Sequence, residues 1–160
     1  MIGLLMSATT VLDIRRTRSV LQEELEQQGL EMVETHNDML ANLLYFSDVD
    51  KLREVTEVVE SQPNVLYVQV FERDGRLLVD TRQGPYAQGS VEDDVDLRAV
   101  HAGRSVAEPN GQVVKVAGPM MVGPDVIGGI RLDLSGASVE AAVRAITIQR
   151  LWQTLALLVF

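Results

Sequence analysis

From Asp13 to Phe46 the chain contains no proline and a single glycine, Gly29, and its apolar residues recur at helical spacing. Ile14, Leu21, Leu25, Met32, His36, Met39 and Leu43 follow one another at steps of seven, four or three, the repeat that keeps side chains on one helix face. The spacing predicts one unbroken helix about 50 Å long, at ~1.5 Å rise per residue. A helix of that length restricts the fold to architectures in which it lies across, and projects beyond, a smaller domain. Its first half has a narrow apolar seam, with Arg18 and Gln28 at other seam positions and Glu23, Glu24, Glu26 and Glu31 around it. A narrow seam suits pairing with a second helix, so a parallel homodimer through Ile14, Leu21, Leu25 and Met32 is expected. Past Glu31 the stripe widens to Met32, Val33, Met39, Leu40, Leu43 and Leu44, as for a helix lying on a sheet.

Apolar runs stand at both ends, Met1–Leu12 (MIGLLMSATTVL) and Leu151–Phe160 (LWQTLALLVF). Each is shorter than the roughly 20 apolar residues that cross a bilayer as a helix. A signal peptide fits poorly, because no positive region precedes the first run and no small-residue cleavage site clearly follows it. The expectation is that residues 1–12 end one transmembrane helix and residues 151–160 begin another. Residues 13–150 then form one domain outside the cytoplasm, tethered to the cell inner membrane by both ends. Arg15, Arg16 and Arg18 fit this orientation least, since positive charge favours the cytoplasmic side.

A net charge of -9 and the lack of a basic patch interleaved with aromatics argue against a nucleic-acid partner. The absence of cysteine removes any disulfide framework and any thiolate metal site.

After the long helix, Ser47 with Asp50 three residues on marks the start of a short second helix near Asp48, ended by Gln62-Pro63-Asn64. Strand signals then take over. Val65–Glu72 is β-branched and aromatic, and Asp74-Gly75 turns it back into Arg76–Thr81. A loop from Arg82 to about Asp96 is long enough to be functional, and its acidic run Glu92, Asp93, Asp94 and Asp96 reads as solvated. That run lacks the alternating ligands and glycine of a calcium loop. Asp96–Ala102 makes one or two helical turns, stopped by Gly103. Arg104–Glu108, Gln112–Val122 and Val126–Leu134 are strands joined at Asn110-Gly111 and Gly123-Pro124-Asp125. Ser135 or Ser138 caps a last helix running from about Val139 to the end. The expected fold is α+β: a five-stranded antiparallel sheet with the long helix on one face and a C-terminal helix leading to the membrane.

This order resembles the extracytoplasmic single Cache domain, a PAS-like fold, of bacterial sensor histidine kinases, chemoreceptors and membrane-bound cyclases. The segments that carry the resemblance are VLYVQVFERDGRLLVDT, DLRAVHAGRSVAE and AGPMMVGPDVIGGIRLDLS, flanked by helices from both apolar ends, over about residues 13–150. The resemblance implies a non-enzymatic sensor whose ligand sits between the sheet and the loop segment, with any kinase or cyclase activity in a separate cytoplasmic part. The family's aromatic-rich motif for amino-acid or amine ligands is not evident, so no particular ligand is implied.

Strand alternation selects the candidate site residues. Leu66, Val68 and Val70 form an apolar face for the long helix, leaving Tyr67, Gln69 and Phe71 on the other. Val114 and Val116 oppose Lys115, and Ile130, Leu132 and Leu134 oppose Arg131 and Asp133. Tyr67, Gln69, Lys115, Arg131 and Asp133 are therefore expected on the face away from the long helix. Donors converging beside a tyrosine suit a small carboxylate ligand. The competing expectation is that these side chains pair among themselves and the domain is a dimerisation or interaction module that binds no small molecule. His101 and Arg104, flanking Gly103, are secondary candidates. His36 and His101 lack a second ligand at helical spacing, so no metal or cofactor is expected. No GxSxG, phosphate-binding glycine loop or HExxH is present, and Gly128-Gly129 fits close packing within a strand.

Overall fold

A computed structural model describes residues 2–83, 87–91 and 94–137; the side chains of residues 2–18 and of Asp94 are not among those described. The proline-free segment is a single helix, α1 (Ile2–Tyr45). It is followed by α2 (Val49–Glu60), β1 (Val65–Glu72), β2 (Leu77–Asp80), α3 (Asp94–Ala102), β3 (Val106–Asn110), β4 (Val113–Val122) and β5 (Asp125–Ser135). The five strands form one antiparallel sheet in the order β2-β1-β5-β4-β3, which puts the last strand at its centre.

One face of the sheet carries most of the apolar core. Leu25, Val33, Leu40 and Ala41 of α1, with Leu52 and Val59 of α2, are buried against Val68, Val70, Val79, Val114, Val116, Ile130, Leu132 and Leu134. Gly29 lets α1 sit close: a Cβ there would lie 2.7 Å from a Leu134 methyl carbon and closer still to Val116. The opposite face is covered by α3, whose Val95 and Ala99 pack on Ala117 and whose Val100 packs beside Phe71. Gly128 and Gly129 are strand residues in close packing, as expected. A Cβ on Gly128 would meet the Phe71 carbonyl, and one on Gly129 the Phe71 ring.

Three expectations are corrected. Asp48, not Ser47, caps α2, its carboxylate accepting from the Lys51 backbone N–H at 3.1 Å. Leu66 does not pack under α1; the β1–β5 register shifts between Val65 and Tyr67, and Leu66 is left exposed. Of the expected dimer seam, Leu25 is buried in the chain's own core and Met32 packs against it, because the sheet reaches further along α1 than the widening of the stripe at Glu31 implies. Leu21 is half-buried, and the side chain of Ile14 lies outside the described residues, as do the final helix from Val139 and the run 151–160. Among the described residues, no helix is long and apolar enough to cross a membrane.

Candidate functional site

The register builds the site in transverse rows on the α3 face. Tyr67 pairs with Asp133, and Asp133 with Lys115; Asp80 pairs with Gln69, Gln69 with Arg131, and Arg131 with Ala117. Antiparallel partners share a face, so four strands place these side chains side by side. Most of the buried polar side chains gather on this face. Among the described residues, the buried set is Thr56, Gln69, Asp80, Asp96, Arg131 and Asp133, and all but Thr56 belong to this one cluster.

Arg131 is its centre. Its Nε donates to Asp133 Oδ1 at 2.7 Å and its Nη2 to Asp133 Oδ2 at 3.2 Å, while its Nη1 donates to Asp96 Oδ2 at 3.0 Å. The Tyr67 hydroxyl donates to Asp133 Oδ2 at 2.8 Å. Beside them, Arg82 grips Asp80 with both Nε (3.0 Å to Oδ1) and Nη2 (2.8 Å to Oδ2), and Gln69 Nε2 donates to the same Oδ2 at 2.8 Å. The Tyr67 ring meets two guanidiniums, Arg82 at 3.8 Å and Arg131 at 5.6 Å from its centroid, so the phenol and the two ion pairs form one unit.

The protonation states follow from these contacts. Burial opposes the charge of Arg131, but the hydrogen bond to Asp133 and the Asp96 and Asp133 charges outweigh it and raise its pKa above the ordinary arginine value. Burial first, then the hydrogen bond to Asp133 and that carboxylate's charge, push the Tyr67 phenol well above the usual tyrosine range. Burial would raise Asp80, yet hydrogen bonds from Arg82 and Gln69 hold it below the ordinary aspartate value. At neutral pH Arg131 and Asp80 are therefore charged and the Tyr67 phenol is neutral.

Of the sequence-predicted residues, Tyr67, Gln69, Arg131 and Asp133 come together. Lys115 is half-buried, one strand over, between Asp133 and Glu108 in register. His101 and Arg104 do not join: both are exposed at the end of α3, where Gly103 lets the chain turn into solvent. Asp96 corrects the reading of a solvated acidic run, being fully buried on Arg131. Asp80 and Arg82 were not predicted, although Asp80 sits in strand alternation on the same face. A cavity of about 320 Å³ lies elsewhere, lined by Leu44, Tyr45, Glu72, Arg73, Asp74 and Ile127 at the end of α1. Among the described residues, no group of His, Asp and Glu is arranged to hold a metal ion.

No family model matches the chain, and no curated protein matches its sequence. Its structure is similar to the E. coli DcuS sensor domain, at 15% identity and a TM-score of 0.65, covering 78% of this chain and 98% of that one. It is similar also to the sensory domain of the Campylobacter jejuni chemoreceptor Tlp3 with isoleucine bound, at 13% identity and a TM-score of 0.67, covering 88% of this chain and 65% of that one. The sensor domain of the V. cholerae histidine kinase DctB is a further match, at 11% identity and a TM-score of 0.51, covering 84% of this chain and 54% of that one. The chain thus spans nearly all of the DcuS domain and less than two thirds of the other two. What these likenesses establish is the fold, and the chain has the PAS-like fold of those sensor domains.

Proposed function

We propose that this chain is the extracytoplasmic sensing domain of a membrane-bound signal transduction receptor, a sensor histidine kinase in the first instance. It would recognise a small carboxylate at the Arg131 cluster and carry no catalytic activity of its own. The observation that carries this reading is the gathering of five buried polar side chains on one face of the sheet, around Arg131 and its neighbour Arg82. Isolated from such a purpose, burying this many charges is a weak way to stabilise a domain, since apolar packing of equal volume does as well or better. The isoleucine bound by Tlp3 also carries a carboxylate.

The route from site to output lies in β5. Arg131 and Asp133 face α3, while Ile130, Leu132 and Leu134 between them face the core beneath α1. A ligand that displaces the first set shifts the second, and α1 rests directly on it. Receptor pairing would use the N-terminal part of α1, before Leu25 engages the sheet. Both chain ends would enter the inner membrane.

Thermal unfolding in the presence of a metabolite library tests the proposal. Stabilisation by a carboxylate, lost in Arg131→Ala and weakened in the milder Tyr67→Phe, is the expected result. If no compound stabilises the chain while it remains dimeric, the domain is an interaction module that binds no small molecule. That second reading draws on one specific observation: Arg131 already holds Asp96 and Asp133.

A further inference from the structure

The same pairing of Arg131 has a mechanical meaning. We propose that Asp96 is a built-in substitute for the ligand carboxylate, and that a carboxylate enters the site by exchanging with Asp96 and so releasing α3 from the sheet. This rests on the sensing role proposed above and specifies how the site is regulated.

Three features of the cluster converge on exchange. The first is charge. Among the described residues of the cluster, Asp80, Asp96 and Asp133 face Arg82, Arg131 and, one strand over, Lys115, so no positive charge is in surplus for an added anion. A further carboxylate placed beside Arg131 would be a buried charge without its own counter-ion, which is costly. Replacing Asp96 keeps the count unchanged.

The second is connectivity. Asp133 lies two residues from Arg131 on the central strand and engages it side-on through two nitrogens, so the two stay neighbours for as long as β5 is intact. Asp96 reaches Arg131 from another element, through Nη1, at a sequence separation of 35. It is the partner that can depart while the sheet stays whole.

The third is the grip on α3. The helix is nine residues long, and its buried apolar side chains are Val95, Ala99 and Val100. Its ion pair from Arg98 to Glu108 of β3 is half exposed. Compared with α1, which buries Leu25, Val33 and Leu40, α3 has little apolar area to resist lifting, and elements of this kind open locally first. The Asp96–Arg131 pair is the buried polar contact that ties it to the sheet, beside the packing of Val95, Leu97, Ala99 and Val100.

Hydrogen exchange over residues 97–102 of the full chain, with acetate or propionate added and chloride at equal ionic strength as control, tests the exchange. In the wild type, the carboxylates are expected to speed exchange in this segment and chloride to leave it unchanged. Asp96→Asn is expected to show the fast rate in chloride alone and to bind acetate at least tenfold more tightly, read by calorimetry. Acetate that slows exchange in α3, or binds wild type and Asp96→Asn equally, overturns the exchange while leaving an Arg131-dependent sensor in place. If neither anion affects either protein, the exchange is also overturned, and the library screen on Arg131→Ala decides the sensing role separately. Should Asp96→Asn fail to fold, the wild-type response to acetate against chloride decides alone.

Discussion

Tyr67 is held neutral from two directions, by burial and by an accepting carboxylate. Ionising it would desolvate a phenolate and set it against Asp133. In an ultraviolet pH titration, one tyrosine is therefore expected to ionise above the ordinary tyrosine range of about pH 10, and Tyr67→Phe removes that late step. The same variant forfeits one hydrogen bond to a charged group, a loss of about 1.5–3 kcal/mol in urea unfolding. Arg131→Ala leaves Asp96 and Asp133 buried without their common partner, and a loss of roughly 3–5 kcal/mol is expected. Asp80 supplies the acid side of the pH profile. Its folded pKa lies below its unfolded one, so its contribution is present above about pH 4 and disappears as pH falls through the folded value. Asp80→Asn should flatten that limb of the stability curve. Four of the cluster's residues were legible because period-two alternation on β1 and β5 assigns Tyr67, Gln69, Arg131 and Asp133 to one face. Asp96 was not, since its place depends on how a nine-residue helix docks across the sheet. In sequence it is one more acid in an acidic run.

At the level of elements, the turns were the clearest signals. Asp74-Gly75, Asn110-Gly111 and Gly123-Pro124 fall where strands reverse, with Gly75, Gly111 and Gly123 all at positive φ. Boundaries set by local competition were less legible. Ser47 and Asp48 are both good caps, and the positive φ of Ser47 leaves the role to Asp48; Asp48→Ala should cost about 1 kcal/mol of stability. The bulge that exposes Leu66 has no local sequence signature. On α1, Gly29 occupies a point of close approach to β4 and β5. In Gly29→Ala the helix itself gains about 1 kcal/mol, but the added methyl collides with Val116 and Leu134, two side chains fixed in the core. A net loss of up to about 2 kcal/mol is expected, from overpacking that typically costs ~1–3 kcal/mol, and thermal unfolding measures it.

For the whole molecule, the sheet covers the apolar face of α1 from Leu25 onward, so the proposed pairing through the apolar seam would use the earlier part of the helix. The chain has no cysteine, which makes a single introduced thiol a clean reporter. Arg18→Cys, at a seam position before the sheet begins, is expected to cross-link two copies under mild oxidation. Gln28→Cys, half-buried at the level of the sheet, is not. Cross-linking at position 28 alone would place the dimer interface elsewhere. The central strand β5 also limits how such a chain can vary over time. Its odd-numbered charges build the polar cluster and its even-numbered leucines build the core. One inserted or deleted residue within it would swap the two sets, turning Arg131 and Asp133 under α1 and a leucine toward α3. Point substitutions can alter the polar face alone, whereas an unaccommodated change of length within β5 disturbs the polar face and the core together.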